Sequence, residues 1–353
     1  MREFLHDVPA ARVIFGAGAV RRVPDEVARL GARRVLLIAG SHERGTADEL
    51  ATALGPLLAD RIGEVAMHVP AEVAGRATER ATRGGADLLV AVGGGSAVGL
   101  AKAVALDTGL PILAVPTTYA GSELSPLWGR TEGGRKITGR DRAVLPRTVV
   151  YDAELTVSLP PGTSAASGMN AMAHLVEGMY APDASPVTAL LAEEGIRTLA
   201  GALPRVVAAP ADLGARADAL YGAWLGSSVL GTASMGLHHR MCHVLGGAYG
   251  LPHAGTHAAL LPYVVAFVAP AVPAAIVRVA RSLGATDPAL ALWELAGRIG
   301  APTSLAAVGF DPGRIAEAAR LILDGRPIHP RFAGEPALRA LLHAAHAGSP
   351  PHA

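Results

Sequence analysis

DLLVAVGGGSAVGLAKAVA, Asp87 to Ala105, passes from an apolar run through Gly93, Gly94, Gly95 and Ser96 into a segment with helical spacing. The apolar run is short and ends at glycine, so it reads as a strand buried on both faces, the kind a parallel sheet needs. Three glycines let a backbone approach a ligand closely, and the N–H groups of the following helix start suit a phosphate. The turn is therefore a candidate pyrophosphate cradle, although a tight strand-to-helix turn without a ligand has the same composition. It matches neither G-x-G-x-x-G nor the P-loop, because no Gly-Lys-Ser/Thr follows and Lys102 comes later on the helix.

Working outward, ARVIFGAG (11–18), RRVLLIAG (33–40), EVAMHVP (64–70), PILAVPTTY (111–119) and RTVVYDA (147–153) also read as strands. Amphipathic stretches such as TADELATALGPLLADRIG (46–63) and EVAGRATERATRGG (72–85) separate them and read as helices. Strands alternating with helices predict an α/β unit with a parallel, Rossmann-like nucleotide-binding sheet. After Pro160 and Pro161 the β-branched runs give way to Ala/Leu/Glu/Arg segments such as RIAEAARLIL. The expected organisation is an α/β domain over residues 1–160 and an all-α domain over 161–353.

The next strand end, PTTYAGSELSPLWG (116–129), places Thr117, Thr118 and Ser122 where ligands of open α/β sheets bind. Gly40 and Ser41 end the RRVLLIAG strand without an acid, so nothing there selects NADH over NADPH. TEGGRKITGRD (131–141), with Arg135, Lys136 and Arg140, reads as a solvated hairpin, and Lys136 is its candidate phosphate contact.

In the second half, GLHHRMCHVLGGAYGLPHAGTHAALLP (236–262) carries His238, His239, His243, His253 and His257, five of the chain's 13 histidines. A metal, a proton relay or an anion site would each explain such density. Upstream, SGMNAMAHLVEGMY (167–180) reads as a helix start with Ser167 able to cap it. Asn170 and His174 are four apart and share a helix face, as do His239 and His243. GGAYGLP is expected to end that helix and His253 to begin another.

Composition narrows the function classes. Hydrophobic residues make up 50% and charged ones 17%, and no uninterrupted apolar run approaches the roughly 18 residues of a bilayer crossing. A net charge of +1 without blocks of like charge gives no nucleic-acid face. One cysteine, Cys242, forms no disulfide within the chain, and no export signal is visible, so a cytoplasmic protein is expected.

The GGGS turn, PTTYAGSE, GMNAMAH and HHRMCHVLGGAYGLPHAGTHAALLP, in this order, resemble the iron-containing (group III) alcohol dehydrogenase superfamily. Within it the sequence is most similar to the maleylacetate reductases. The resemblance implies the dehydroquinate synthase-like fold, NADH or NADPH as cofactor and a homodimer. Its metal-dependent members use an aspartate and three histidines as ligands, and the matching positions here are Asn170, His174, His239 and His253. His243 matches a further active-site histidine. Asparagine in place of the only anion leaves a weak ligand for a divalent metal, and Gly99 stands where GGGSxxD would place an acid. The resemblance therefore implies a metal-free enzyme, with His174, His239 and His253 as ligands should a metal bind.

The implied reaction is reduction of the C=C bond of maleylacetate, a small dicarboxylate keto acid, to 3-oxoadipate in the catabolism of aromatic compounds. His243 is the expected acid or enolate stabiliser. Asn170, His174, His239 and His253 form a polar, partly cationic cage for the dianion, and Arg135, Arg240 or Arg331 adds charge. Three alternatives stand: a metal-dependent alcohol dehydrogenase of this fold, a reductase of another unsaturated keto acid in a biosynthetic pathway, and a nucleotide-binding relative without turnover.

Overall fold

The computed structural model describes residues 4–8, 11–133, 135–325, 330–331 and 334–351, without the side chains of Arg135 and Lys136. The chain divides into two compact units, Val8–Leu159 and Pro160–Ala353 with Met1–Asp7.

The first unit is built on β1 (Arg12–Phe15), β2 (Val35–Ala39), β3 (Leu58–Ile62), β4 (Leu88–Gly93) and β5 (Ile112–Pro116), with β6 (Leu127–Glu132) and β7 (Arg135–Arg140) as a separate hairpin, and β8 (Thr148–Tyr151). The six sheet strands are parallel, in the order β1-β8-β5-β4-β2-β3. Helices α1 (Val23–Arg29), α2 (Arg44–Leu54), α3 (Ala71–Arg83) and α4 (Gly95–Thr108) connect them. Every residue of β2, β4 and β5 is buried, as a sheet covered on both faces requires. The chain passes from β2 outward to β3, then returns to β4 on the other side of β2. That reversal opens a crevice outside the carboxyl ends of β2 and β4, the position where α/β sheets hold ligands.

One strand expectation fails. EVAMHVP is not a strand: His68 (φ 62°) and Val69 (φ 49°) both adopt left-handed backbone, incompatible with an extended run. Thr131 of the hairpin holds that segment, donating from N to Val69 O (2.9 Å) and from Oγ1 to His68 O (2.9 Å). The third strand lies instead in LADRI, inside a stretch expected to be helical, because Gly55 and Pro56 end α2 early.

The second unit is helical among the described residues: α5 (Pro161–Met179), α6 (Pro186–Ala208), α7 (Leu213–Thr232), α8 (Leu237–Tyr249), α9 (His253–Val268), α10 (Pro273–Leu283), α11 (Pro288–Arg298), α12 (Ile315–Asp324) and α13 (Glu335–Ala347). α5 starts at Pro161, so Ser167 lies inside the helix and does not cap it. α8 continues through Gly246 and Gly247 and stops only at Gly250, which takes the left-handed conformation (φ 68°). α9 packs against α5, α8, α11 and α13. His253–Ala271 is long and apolar enough to cross a membrane by composition, yet 72% of it is buried inside the protein, as in a core helix.

Candidate active site

In the α/β unit the glycine turn closes onto the neighbouring strand end. Gly93 has φ +144°, a backbone that favours glycine, and a Cβ on Gly94 would lie 2.9 Å from Thr118 Cγ2. No side chain caps α4, whose first turn holds Gly95 and Ser96. A helix start without a side-chain cap is a natural anion site. Ser122 Oγ is buried with no hydrogen-bond partner among the described residues.

β2 ends differently from expectation. The turn at 41–43 folds Glu43 back onto the cradle, where Oε1 accepts from Thr117 Oγ1 (3.1 Å) and Cδ would lie 3.5 Å from a Cβ on Gly93. An acid thus does stand beside this strand end. Separately, Gly40 and Ser41 line a cavity of about 190 Å³ with Arg44, Arg61 and Gly63. At Gly99, which carries no acid, a Cβ would lie 3.0 Å from Val69 Cγ2, a tight approach. The Lys136 side chain and Gly134 lie outside the described residues.

Lys102, on α4, is buried. Its Nζ donates to the carbonyl oxygens of Ser122 (2.6 Å), Ser125 (2.6 Å) and Leu127 (2.8 Å), tying the segment after β5 to the glycine-turn helix. Burial pushes its pKa from 10.5 down to about 7, opposed by the nearby carboxylate of Glu123.

In the helical unit α5 supplies Asn170 and His174, α8 supplies His238, His239 and His243, and the start of α9 supplies His253 and His257. The rings of His174 and His239 stack 5.1 Å apart, and those of His243 and His253 at 6.0 Å. Asn170, His174 and His239 are buried, whereas His243 and His253 are exposed. His238 Nε2 and His257 Nδ1 form a hydrogen bond of 2.9 Å in the interior.

Glu177 is the residue that sequence reasoning passed over. Fully buried on α5, it accepts from His238 N (2.8 Å) and His239 N (3.2 Å) and sits 2.5 Å from His239 Nδ1. Burial alone would raise its pKa, but the bond from His239 and the neighbouring imidazoles outweigh that and hold it below 4.5. The signal was present: Asn170, His174 and Glu177 follow i, i+4, i+7 on one helix face.

One member of the expected cage is uncharged. Burial, reinforced by the surrounding imidazoles, holds His174 well below 6.5, so it is neutral at pH 7. Two of the candidate arginines are held by neutral carbonyls. Arg240 Nη2 donates to Leu321 O (2.6 Å), and Arg331 Nη1 donates to Phe267 O (2.8 Å) while lying over the Phe267 ring. The Arg135 side chain lies outside the described residues.

The donor set suits a borderline cation. His174 Nδ1 and His239 Nε2 are buried with no hydrogen-bond partner among the described residues, and neutral imidazoles are good zinc ligands. Among the described residues a second cluster of potential ligand atoms lies on His238, Cys242 and His257, within 4.8 Å of one another. There the histidine pair shares one hydrogen bond, His238 Nδ1 and His257 Nε2 are buried with no partner among the described residues, and every side chain is sealed from solvent.

Comparison with known proteins decides the family. A profile described as iron-containing alcohol dehydrogenase matches residues 10–153, and the C-terminal profile of the Fe-containing alcohol dehydrogenase family matches 164–346. The chain belongs to the iron-containing alcohol dehydrogenase family. Within that family it is 50% identical to a maleylacetate reductase from Sphingobium indicum, over 99% of both chains. It is also 50% identical to maleylacetate reductase 2 from Cupriavidus pinatubonensis, again over 99% of both. The crystal structure of maleylacetate reductase from Rhizobium sp. strain MTP-10005 is 46% identical with a TM-score of 0.96, covering 99% of this chain and 100% of that one. The family is one of NAD(P)-dependent oxidoreductases, in agreement with the glycine turn and its crevice.

Proposed function

We propose that the protein reduces the C=C bond of maleylacetate with NADH or NADPH, giving 3-oxoadipate in the breakdown of aromatic compounds. The observation that carries this reading is the 50% identity to a maleylacetate reductase along 99% of the chain. In the α/β unit, Gly93, Gly94, Gly95, Ser96, Thr117, Thr118 and Ser122 take the pyrophosphate and its neighbouring groups. Glu43 near Gly40 suits ribose hydroxyls, while Ser41, Arg44 and Arg61 suit a 2′-phosphate, which supports use of both cofactors. The hydride adds to the alkene carbon β to the ketone, the electron pair moves to the carbonyl oxygen as an enolate, and a proton then adds at the α carbon. Hydrogen bonds suffice to stabilise an enolate. His243, exposed and stacked on His253, is the proton donor in this reading, with His174, His239 and Asn170 as hydrogen-bonding groups.

The reading is metal-independent because Asn170 brings an amide and no charge to the ligand positions. Were a divalent cation held, His174, His239 and His253 would hold it, and it would polarise the substrate carbonyl. The open nitrogens of His174 and His239 favour that second reading, a metal-dependent alcohol dehydrogenase. NAD(P)H consumption with enzymatically generated maleylacetate, with and without EDTA, separates the two. Chelator-resistant turnover is expected, and turnover abolished by EDTA and restored by zinc or iron would replace the first reading with the second. His243→Ala with full turnover would remove that residue from the mechanism. The reading also takes the enzyme as a cytoplasmic homodimer, which light scattering tests.

A further inference from the structure

Glu177 receives three hydrogen bonds whose pattern constrains the chemistry of His239. Oε1 accepts from His238 N, and Oε2 accepts from His239 N while meeting His239 Nδ1 at 2.5 Å. A carboxylate surrounded by donors acts only as an acceptor, so the hydrogen on the short contact belongs to Nδ1. The opposite ring nitrogen, Nε2, is buried and has no partner among the described residues. We propose that Glu177 is a positioning residue for the reaction: it locks His239 in the Nδ1–H form and orientation, so that Nε2 is the atom this histidine presents to substrate.

The two backbone bonds serve the same end. α8 begins after Gly236, which has no side chain to cap it, and its first N–H groups are satisfied by Glu177 from α5. One carboxylate therefore fixes both the ring and the start of the helix that carries it. A cap alone would need only the backbone bonds. The contact to Nδ1 is what a carboxylate behind a working imidazole provides, selecting the tautomer. Loss of the equivalent contact in a Ser-His-Asp triad leaves the geometry intact and puts the imidazole in the wrong tautomer.

The activity arm rests on the reductase reading; the spectroscopic arm does not. Nitrogen-15 NMR of the histidine side chains distinguishes a protonated from a bare ring nitrogen. Wild-type His239 is expected as Nδ1–H alone, and Glu177→Ala is expected to move it toward the Nε2–H form that free histidine favours. With maleylacetate, Glu177→Gln should lower kcat about 100-fold with KM within about threefold, as a lost positioning contact does. In a His239→Ala background the same change should alter kcat by less than about twofold, since Glu177 acts through that ring. Equal losses in both backgrounds would reduce Glu177 to a helix cap, and an Nε2–H wild type would overturn the proposal outright. If the wild-type enzyme does not consume NAD(P)H with maleylacetate, the reductase reading fails, and the tautomer still decides the role of Glu177.

Discussion

His238 Nε2 and His257 Nδ1 share one hydrogen bond of 2.9 Å, with both rings fully buried. Burial pushes the pKa of His238 down to about 3 and holds that of His257 well below 6.5. The unfolded chain takes up protons near 6.5 while the folded pair stays neutral, so folding is favoured above 6.5 and weakens as pH falls toward 3. Urea unfolding between pH 7 and pH 4 should show stability falling by up to about 1.4 kcal/mol per pH unit for each such histidine. Stability that stays level from pH 6.5 to pH 4 would contradict the buried neutral pair.

Gly94 and Gly95 make a contrast within one turn. A Cβ on Gly94 would press Thr118 at 2.9 Å, whereas one on Gly95 meets Ala120 Cβ at an ordinary 3.6 Å. Gly94→Ala should weaken NAD(P)H binding about tenfold or more, equivalent to about 1.4 kcal/mol, and Gly95→Ala should change it far less. Fluorescence titration of the reduced cofactor measures both, and equal effects would mean that Thr118 does not define the cradle.

Lys102 satisfies three carbonyls from the segment after β5, and Lys102→Met removes every donor at once. Each buried acceptor left unpaired costs about 1–3 kcal/mol, so the variant should melt several degrees lower at pH 7. The gap should also widen with pH. The folded pKa of about 7 lies below the unfolded 10.5, so between those values the folded state binds fewer protons and wild type gains stability that the variant cannot. Melting curves at pH 7 and pH 9 test the sign, and a gap that closes as pH rises would mean that the ammonium is not disfavoured by burial.

The legible parts of the sequence were those written in local periodicity. Gly93 to Ser96 after a continuous apolar run, and Asn170/His174 and His239/His243 at helical spacing, needed only neighbours in sequence to interpret. What escaped was set by distant contacts. Glu177 becomes meaningful only when α8, 61 residues away, lays its first N–H groups on it. Glu43 stands beside the glycine turn only because its own turn folds back onto Thr117, 74 residues away. The segment 64–70 has β-like composition, but Thr131 binds it where His68 and Val69 turn left-handed. Tertiary contacts there override propensity.

Asn170 tests how far the site stands from metal binding. It lies one turn from His174 on α5 and is 3% exposed, so Asn170→Asp places a buried carboxylate among neutral imidazoles. Without metal that carboxylate is poorly compensated, and the variant should melt below wild type. With zinc it completes an Asp and three-His set, and binding to the folded state alone adds stability as RT ln(1 + [L]/Kd), about 2.7 kcal/mol at a hundredfold excess over Kd. Thermal shifts with and without zinc, paired with metal content after gel filtration, should show a zinc-dependent rise in the variant larger than in wild type. Maleylacetate reduction should fall in the same variant, because a carboxylate now stands beside a dianionic substrate. If wild type binds zinc as tightly as Asn170→Asp, the amide does not exclude the metal and the metal-independent reading loses its physical basis.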